Sequence, residues 1–204
     1  MGKYVVGITG ASGSIYADRL VRQLLAVGQQ VILTITGVGI MVMQQELGLD
    51  LKAKGTQKEK EDCLKDHFSL TPEDKNLEYY DVGSIGAPIA SGSYRVDGMV
   101  VIPCTMATVS AIANGASGDL LERAADVMLK ERRTLIVVPR EAPFSTIHLK
   151  NLLELSQNNV LVIPASPSFY HHPGSIVEMV DFFVGRIMDQ LGIDNSLVKR
   201  WTGM

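Results

Sequence analysis

The sequence has few cysteines and no pattern of metal ligands. Its 204 residues include two cysteines, Cys63 and Cys104, which do not form a CxxC pair. Two cysteines cannot build the disulfide framework of a small secreted domain, so a reducing compartment suits the chain better. Of the four histidines, His171 and His172 are adjacent, and an adjacent pair alone does not make a metal site. We therefore expect a cytoplasmic protein that binds no metal.

The chain also lacks an excess of charge of one sign and a long hydrophobic run. It has 22 acidic and 19 basic residues, a formal charge of −3, and no basic stripe. This distribution argues against nucleic-acid binding. The first apolar run, Tyr4 to Ile8, is too short for a signal peptide or a membrane span. We expect neither a nucleic-acid partner nor a membrane partner.

The composition is that of a folded enzyme-sized domain. Apolar residues make up 46% of the chain, enough for a core in a single domain, which we place at residues 1–204. The mean hydropathy of +0.15 and the nine methionines indicate apolar surface that is covered by other subunits. We therefore expect a homo-oligomer.

Short apolar runs alternate with amphipathic segments along most of the chain, which predicts an α/β fold with a doubly wound parallel sheet. The predicted strands are Tyr4–Ile8, Val31–Ile35, Met99–Ile102, Leu135–Val138 and Val160–Ile163. The predicted helices are Ile15–Val27, Val38–Glu46, Met106–Ala113, Leu120–Glu131, Ile147–Ser156 and Ile176–Leu191. The charged stretch Leu49–Asp74 is predicted to be a surface excursion with one exposed helix, Glu59–His67.

The first predicted strand leads directly into a glycine-rich segment, Gly7 to Ser14, and then into a helix. Glycines let the backbone approach a phosphate, and the helix N-terminus supplies free N–H groups; the alternative is an ordinary tight turn. The GxxGxxG spacing also suits a dinucleotide. However, Thr34 to Gly37, at the end of the second strand, contains no acidic residue for a ribose hydroxyl, and the chain has no Tyr-xxx-Lys pair. A mononucleotide is favoured.

Polar residues follow two further strands at the edge where parallel sheets bind ligands. Thr105 and Thr108 follow the Met99–Ile102 strand, although Thr105 could equally be a helix N-cap. Cys104, at the same strand end, is interpreted as an inert buried thiol rather than a nucleophile. Arg140 and Glu141 follow another strand. The Arg140 guanidinium could bind an anion and the Glu141 carboxyl could carry a proton; the alternative is that the two form a surface ion pair.

Three further groups are candidates for binding a phosphorylated ligand. Arg123, Asp126 and Lys130 share one face of a predicted helix, where a solvated charged face is the other explanation. The small-residue loop Pro88–Ser93 could form a wall beside a flat ligand or simply turn, and the rigid aromatic loop Pro164–Pro173 follows a strand at the same sheet edge.

Taken together, these segments strongly resemble the UbiX flavin prenyltransferases, in family order from Lys3 to Trp201. The segments are Gly10–Gly13, Pro88–Ser93, Arg123–Val127, Lys130–Arg133, Val138–Pro143 and Phe169–His171. The resemblance implies a flavodoxin-like or Rossmann-like three-layer αβα fold in a homododecamer. It also implies that the chain joins the dimethylallyl group of dimethylallyl monophosphate to N5 and C6 of reduced FMN, without a metal. The prenylated FMN would then serve a UbiD-type decarboxylase.

The resemblance also assigns roles to individual residues. The implied FMN-binding residues are Gly10, Ala11, Ser12, Thr36, Thr105, Met106, Ala107, Thr108 and Arg140. Ser12 would face N5, with Glu46 behind it as a proton relay, and Glu141 would be the third catalytic residue. The implied substrate-binding residues are Arg123, Lys130, Arg140, Glu141, Tyr170, Arg186 and Trp201. Two positions depart from the family pattern: Thr36 replaces a common serine, and Ile85 replaces a common tryptophan near the prenyl pocket.

Two other functions remain open at this point. One is an FMN-dependent decarboxylase of the related cysteine-decarboxylase group, which would carry a histidine after the first helix and a Pro-Ala-x-Asn-x-x-Met segment, both absent here. The other is a non-catalytic flavin-carrying accessory subunit of an aromatic-acid decarboxylase, which would not need Glu141 together with a cation cluster. In the prenyltransferase interpretation, we expect the site to be completed between chains.

Overall fold

The computed structural model describes residues 1–198, and its six strands form one parallel sheet in the order β3-β2-β1-β4-β5-β6. The strands are Lys3–Ile8 (β1), Gln30–Ile35 (β2), Leu77–Tyr79 (β3), Gly98–Cys104 (β4), Thr134–Pro139 (β5) and Leu161–Val162 (β6). The strand order reverses between β1 and β4, so a crevice opens there beyond the carboxyl ends of the strands. The predicted fold class is confirmed.

Within residues 1–198, seven helices cover the two faces of this sheet. They are Ser14–Ala26 (α1), Gly37–Leu47 (α2), Gln57–His67 (α3), Met106–Ala113 (α4), Leu120–Lys130 (α5), Thr146–Gln157 (α6) and Ile176–Gln190 (α7), with a 3₁₀ turn at Pro88–Ala90. None of the helices within residues 1–198 is long and apolar enough to cross a membrane.

Alternate side chains of each strand pack on opposite faces, which divides the core into two layers. Val6, Leu33 and Ile102 belong to the layer under α1 and α7, whereas Val5 and Val101 belong to the layer under α4 and α5. The strands β1, β2, β4 and β5 are therefore buried on both faces, which explains why they read as continuous apolar runs rather than alternating ones.

The charged stretch after α2 is more buried than its sequence indicates. Its helix, α3, is present, but Leu49, Leu51, Leu64 and Phe68 all lie in the core layer under α1. The predicted surface excursion is therefore wrong in this respect: a few apolar side chains among many charged ones are enough to dock the segment on the core. The short strand β3, which pairs with β2, was not predicted.

A polar cluster attaches the end of α3 to α1. The Asp18 carboxylate lies 2.6 Å from Nε2 of His67 and accepts a hydrogen bond of 2.9 Å from Arg22. Burial of Asp18 raises its pKa, but the bonds to His67 and Arg22 lower it more, so the net pKa lies below its usual value. Ionised Asp18 thus helps to hold α3 in place.

Candidate active site

Three helices begin at the carboxyl edge of the sheet, directly after β1, β2 and β4. They are α1, α2 and α4, and their first N–H groups face the crevice region created by the reversal of strand order. Helix N-termini favour anions because unpaired N–H groups and the helix dipole both present positive charge. This edge is therefore the part of the described chain best suited to a phosphorylated ligand.

The loop between β1 and α1 depends on glycine at two positions. A Cβ on Gly10 would lie 2.3 Å from Cγ1 of Val38, so α2 can approach this loop only because residue 10 has no side chain. Gly13 has a φ of 113°, which L-residues with side chains rarely adopt. Gly10, Ala11 and Ser12 consequently form a tight backbone loop between the first turns of α1 and α2.

Glu46 replaces the side-chain cap that α1 lacks. Its carboxylate accepts hydrogen bonds from the backbone N–H of Gly13 at 3.0 Å and of Ser14 at 2.7 Å, and from the hydroxyl of Ser12. Burial alone would raise the pKa of Glu46, but these hydrogen bonds lower it more, and the net pKa lies below its usual value. The structure thus brings together Ser12 and Glu46, the pair expected to relay a proton.

Thr36 and Thr105 cap the other two helices at this edge. The Thr36 hydroxyl accepts a hydrogen bond of 3.0 Å from the N–H of Gly39. The Thr105 hydroxyl accepts one of 3.3 Å from the N–H of Thr108 and shares another, of 3.0 Å, with the Thr108 hydroxyl. The N-cap interpretation of Thr105 is right, and it leaves the residue at the predicted binding edge. Of the two residues that follow Thr105, Met106 is buried and Ala107 is exposed.

Arg140 is attached to the glycine-rich loop and not to its neighbour Glu141. Its Nε donates a hydrogen bond of 3.2 Å to the carbonyl of Ser12. The Glu141 carboxylate accepts a hydrogen bond of 3.0 Å from the N–H of Ala142. No salt bridge joins Arg140 and Glu141 in the described structure, so the surface ion-pair alternative is not supported. Both side chains are exposed at the carboxyl end of β5.

Lys130 lies at the opposite, amino edge of the sheet. Helix α5 ends at Lys130 and β5 begins at Thr134, so Lys130 precedes the strand that Arg140 follows. The Lys130 ammonium pairs with Glu131 at 2.5 Å and lies beside the backbone of Gly92, where a Cβ would be 2.7 Å from Nζ. One chain therefore does not bring Lys130 together with Ser12.

Arg123, on the same helix, holds the small-residue loop in place. Its guanidinium pairs with Asp126 at 2.8 Å and donates to the carbonyl of Ala90 at 3.2 Å. Arg133, which the sequence did not single out, donates to the carbonyl of Gly92 at 2.6 Å. The Pro88–Ser93 loop is thus fixed beside Lys130 by two arginines.

The aromatic loop packs on α7. The Tyr170 ring makes an edge contact with Phe182 at 5.4 Å, and the His171 ring stacks on Phe182 at 4.1 Å. Arg186 pairs with Asp189 at 3.3 Å and lines a cleft of about 280 Å³ together with residues of the loop after β6, including Ser166. Trp201 lies outside the described residues.

Cys104 is fully buried at the end of β4, and burial raises the pKa of its thiol. The thiol is buried, as expected, and its inertness stays a prediction. In the part of the chain that the structure describes, no group of three or more His, Cys, Asp and Glu side chains is placed to hold a metal ion.

Comparison with known proteins identifies the family. The flavoprotein family profile matches residues 2–188. The flavin prenyltransferase UbiX of Halalkalibacterium halodurans is 46% identical over 200 residues, covering 98% of this chain and 93% of that protein. The flavin prenyltransferase UbiX of Pseudomonas aeruginosa is 41% identical over 199 residues, with 98% and 93% covered. The chain belongs to the UbiX flavin prenyltransferase family.

Solved structures of UbiX proteins have the same fold. The crystal structure of AnUbiX (PadA1) in complex with FMN and dimethylallyl pyrophosphate matches with a TM-score of 0.87 and 33% identity, covering 100% of this chain and 98% of that one. The dodecameric FMN-dependent UbiX-like decarboxylase from Escherichia coli O157:H7 matches with a TM-score of 0.85 and 35% identity, covering 98% and 100%. The predicted family and the expectation of an FMN-dependent prenyltransferase are confirmed at the level of the family.

The carboxyl edge of this UbiX family member fits FMN. Three helix N-termini and the exposed Arg140 provide positive groups for a phosphate, and hydroxyls of Ser12 and Thr105 lie beside them. N–H donors of helix N-termini, hydroxyls and a guanidinium are the kind of donor set that binds a mononucleotide phosphate.

Proposed function

We propose that this chain transfers the dimethylallyl group of dimethylallyl monophosphate to N5 and C6 of reduced FMN. The observation that carries the proposal is the Ser12–Glu46 pair among three helix N-termini, in a chain 46% identical to a flavin prenyltransferase. When bound, reduced FMN supplies the nucleophilic nitrogen and carbon, as cofactors commonly supply the difficult chemistry. The chain supplies binding, orientation and proton handling.

The chain's own residues divide these tasks. Gly10, Ala11, Ser12, Thr36, Thr105, Met106, Ala107, Thr108 and Arg140 bind the flavin in this proposal. The cations Arg123, Lys130 and Arg186 hold the phosphate and neutralise the charge that grows on it as the allylic C–O bond breaks. Tyr170 presents an aromatic surface that shields the allylic group from water.

Two carboxylates handle protons. Glu141 carries a proton on its carboxyl group to the departing phosphate oxygen, the task of a general acid. Glu46 holds the Ser12 hydroxyl by accepting its hydrogen bond. Because the pKa of Glu46 is lowered, Glu46 is ionised at neutral pH and able to take a proton through Ser12.

The direct test is to incubate the purified protein with reduced FMN and either dimethylallyl monophosphate or dimethylallyl diphosphate. We expect mass analysis of the bound flavin to show one added five-carbon group with the monophosphate. Unmodified FMN with both donors would contradict the proposal, and product from the diphosphate alone would correct the donor. Release of carbon dioxide from an aromatic acid by the protein alone would favour a decarboxylase instead.

We also propose that the product serves a UbiD-type decarboxylase in the cytoplasm. The two cysteines of this chain, Cys63 and Cys104, are both free, which suits a reducing compartment. The completed reaction mixture should activate an FMN-free UbiD-type decarboxylase that is added to it. Unreacted FMN should not activate that decarboxylase.

Finally, we propose that the active site is shared between chains of a homododecamer. Lys130 lies at the amino edge, away from Ser12, so another copy has to supply it. Large apolar side chains available for contact between copies are exposed on α6 and α7: Ile147, Leu149, Leu153, Ile176 and Val177. The E. coli relative is dodecameric.

Mixed assemblies test the sharing. Chains with Ser12→Ala and chains with Lys130→Ala are unfolded, combined in equal amounts and refolded, and activity is assayed at a substrate concentration far below the raised KM of Lys130→Ala, where each variant alone should turn over little substrate. Random assembly should restore about a quarter of the sites, because each of two chains must be the right variant with probability one half. Activity no higher than that of the separate variants, in oligomers verified as mixed, would contradict sharing.

A further inference from the structure

Thr9 bridges β1 and β4 beyond the end of their hydrogen-bonded register. The two strands pair in register only as far as Gly7 and Val101. After that, the chain leaves β1 for α1 on one face of the sheet and leaves β4 for α4 on the other. Beyond this pair the regular ladder between the two strands ends.

The Thr9 side chain provides the missing connection. It is 1% exposed, and its hydroxyl donates a hydrogen bond of 2.7 Å to the carbonyl of Pro103. The same hydroxyl accepts a hydrogen bond of 2.8 Å from the N–H of Thr105. Its backbone N–H also donates to the Pro103 carbonyl, at 3.3 Å. The hydroxyl is therefore used as donor to Pro103, near the end of β4, and as acceptor from Thr105, which directly follows β4.

These bonds connect the two loops to which the FMN-binding role is proposed. Thr9 directly precedes the Gly10–Ser12 loop, and its partner Thr105 is the N-cap of α4 and shares a hydrogen bond with Thr108. Because Thr9 is buried and its hydroxyl is already paired, it does not itself face a ligand. Its contacts set the separation between the N-terminus of α4 and the glycine-rich loop.

We propose that Thr9 is a positioning residue that sets the width of the flavin crevice. The inference rests on the proposed function, because it concerns the same FMN site. Replacing the hydroxyl by a methyl group leaves the part-buried N–H of Thr105 without this partner, and a donor that loses its partner away from water is costly. The two loops then separate until water can reach that N–H, and the donors on either side no longer match one phosphate.

The test compares three variants of the FMN-free protein. Thr9→Val keeps the shape and removes the hydroxyl, whereas Thr9→Ser keeps the hydroxyl and removes the methyl group. Thr34→Val is the matched control, since Thr34 is also fully buried in a strand but its hydroxyl has no hydrogen-bond partner. FMN affinity is measured by fluorescence titration, and Tm by circular dichroism.

We expect Thr9→Val to weaken FMN binding by ~10-fold, the equivalent of about 1.4 kcal/mol. Thr9→Ser should bind FMN nearly as the wild type does, even though the lost methyl group lowers its Tm. Thr34→Val should bind FMN normally and have an unchanged or higher Tm. Thr9→Val should lower Tm too, because the N–H of Thr105 loses its partner, whereas Thr9→Ser should lower Tm without lowering affinity. FMN affinity therefore follows the hydroxyl and not Tm, which a merely structural role of Thr9 would not produce.

Several results would overturn the inference. One is that Thr9→Val binds FMN as tightly as the wild type does. Another is that folded Thr9→Ser and folded Thr9→Val lose FMN affinity to the same extent. If Thr9→Val does not fold, Thr9→Ala replaces it, and equal FMN affinity of Thr9→Ala and Thr9→Ser would overturn the inference. Failure of both the wild type and Thr34→Val to bind FMN would instead overturn the proposed function, and this inference with it.

Discussion

The two edges of the sheet present different chemistry, although the same strands connect them. At the carboxyl edge, helix N-termini, hydroxyls and the Glu46 carboxylate surround the loop of Gly10 to Ser12. At the amino edge, Lys130 and Arg133 surround the backbone of Gly92. In the proposed function, each edge supplies part of what the transfer of a prenyl group from a phosphate to a flavin needs. One chain therefore resembles two half-sites held apart by the length of a strand.

The largest expected effect is at the carboxyl edge, in the chemical step. Glu141→Gln preserves size and hydrogen bonding but cannot carry the proton, and positioned acid–base groups typically contribute ~10²–10⁴-fold to rate. The variant should keep its FMN affinity and lose turnover by that factor in the mass assay. Near-normal turnover would leave Glu141 with only its turn hydrogen bond to Ala142.

A second substitution tests whether the amino edge binds the phosphate substrate without affecting the binding of FMN. Lys130→Ala should leave FMN affinity unchanged and raise the KM for dimethylallyl monophosphate by ~10–100-fold, because a hydrogen bond to a charged group contributes about 1.5–3 kcal/mol. Arg186→Ala should behave similarly. If saturating substrate restored neither rate, both residues would belong to the chemical step.

The pH dependence of stability tests the carboxyl edge by itself. The folded pKa of Glu46 is lowered, so its contribution is complete above its unfolded pKa of about 4.3 and is lost as pH falls through the folded pKa. Glu46→Gln should therefore destabilise the FMN-free protein by about 1 kcal/mol at pH 7, the usual cost of a lost helix cap. Thermal unfolding should show the difference in Tm shrinking below pH 4. A difference that is constant with pH would rule out an ionised cap.

The smallest effect is expected from crowding Lys130 without removing it. A Cβ at Gly92 would lie 2.2 Å from Oε1 of Glu131 and 2.7 Å from Nζ of Lys130. Both atoms are at the ends of flexible side chains, so Gly92→Ala should change stability by under about 0.5 kcal/mol. It should raise the KM by less than Lys130→Ala does, as measured by steady-state kinetics. A KM equal to that of the wild type would mean that the position of Lys130 at this loop is not used.

The sequence predicted those elements whose apolar pattern is continuous. The runs that became β1, β2, β4 and β5 are buried on both faces, so their length and composition were sufficient. The strand β3 has three residues, too few to give a periodic signal. The burial of Leu51 and Leu64 depends on a core layer that they share with side chains of α1 and β2, and a local pattern does not contain this information.

The candidate site divides in the same way. The glycine-rich loop and the threonines after the strands follow from strand ends and caps, which are local features. The pairing of Ser12 with Glu46 joins the loop before α1 to the last turn of α2, and only the family resemblance indicated it. The position of Lys130 at the far edge was implicit in the order of α5 and β5. The bridging role of Thr9 has no sequence signal that distinguishes it from any other threonine after a strand.

The burial of Cys104 makes this residue a natural reporter of motion in the crevice. Its thiol is fully buried and lies next to Thr105, so a thiol reagent can reach it only when the end of β4 opens. In a Cys63→Ser background, the labelling rate would measure how often that opening occurs in the native protein. Ligands that occupy the crevice should slow the labelling in proportion to their affinity, because they bind the closed state. The native Cys104 thiol therefore reports how often the crevice opens, and no cysteine has to be introduced for the measurement.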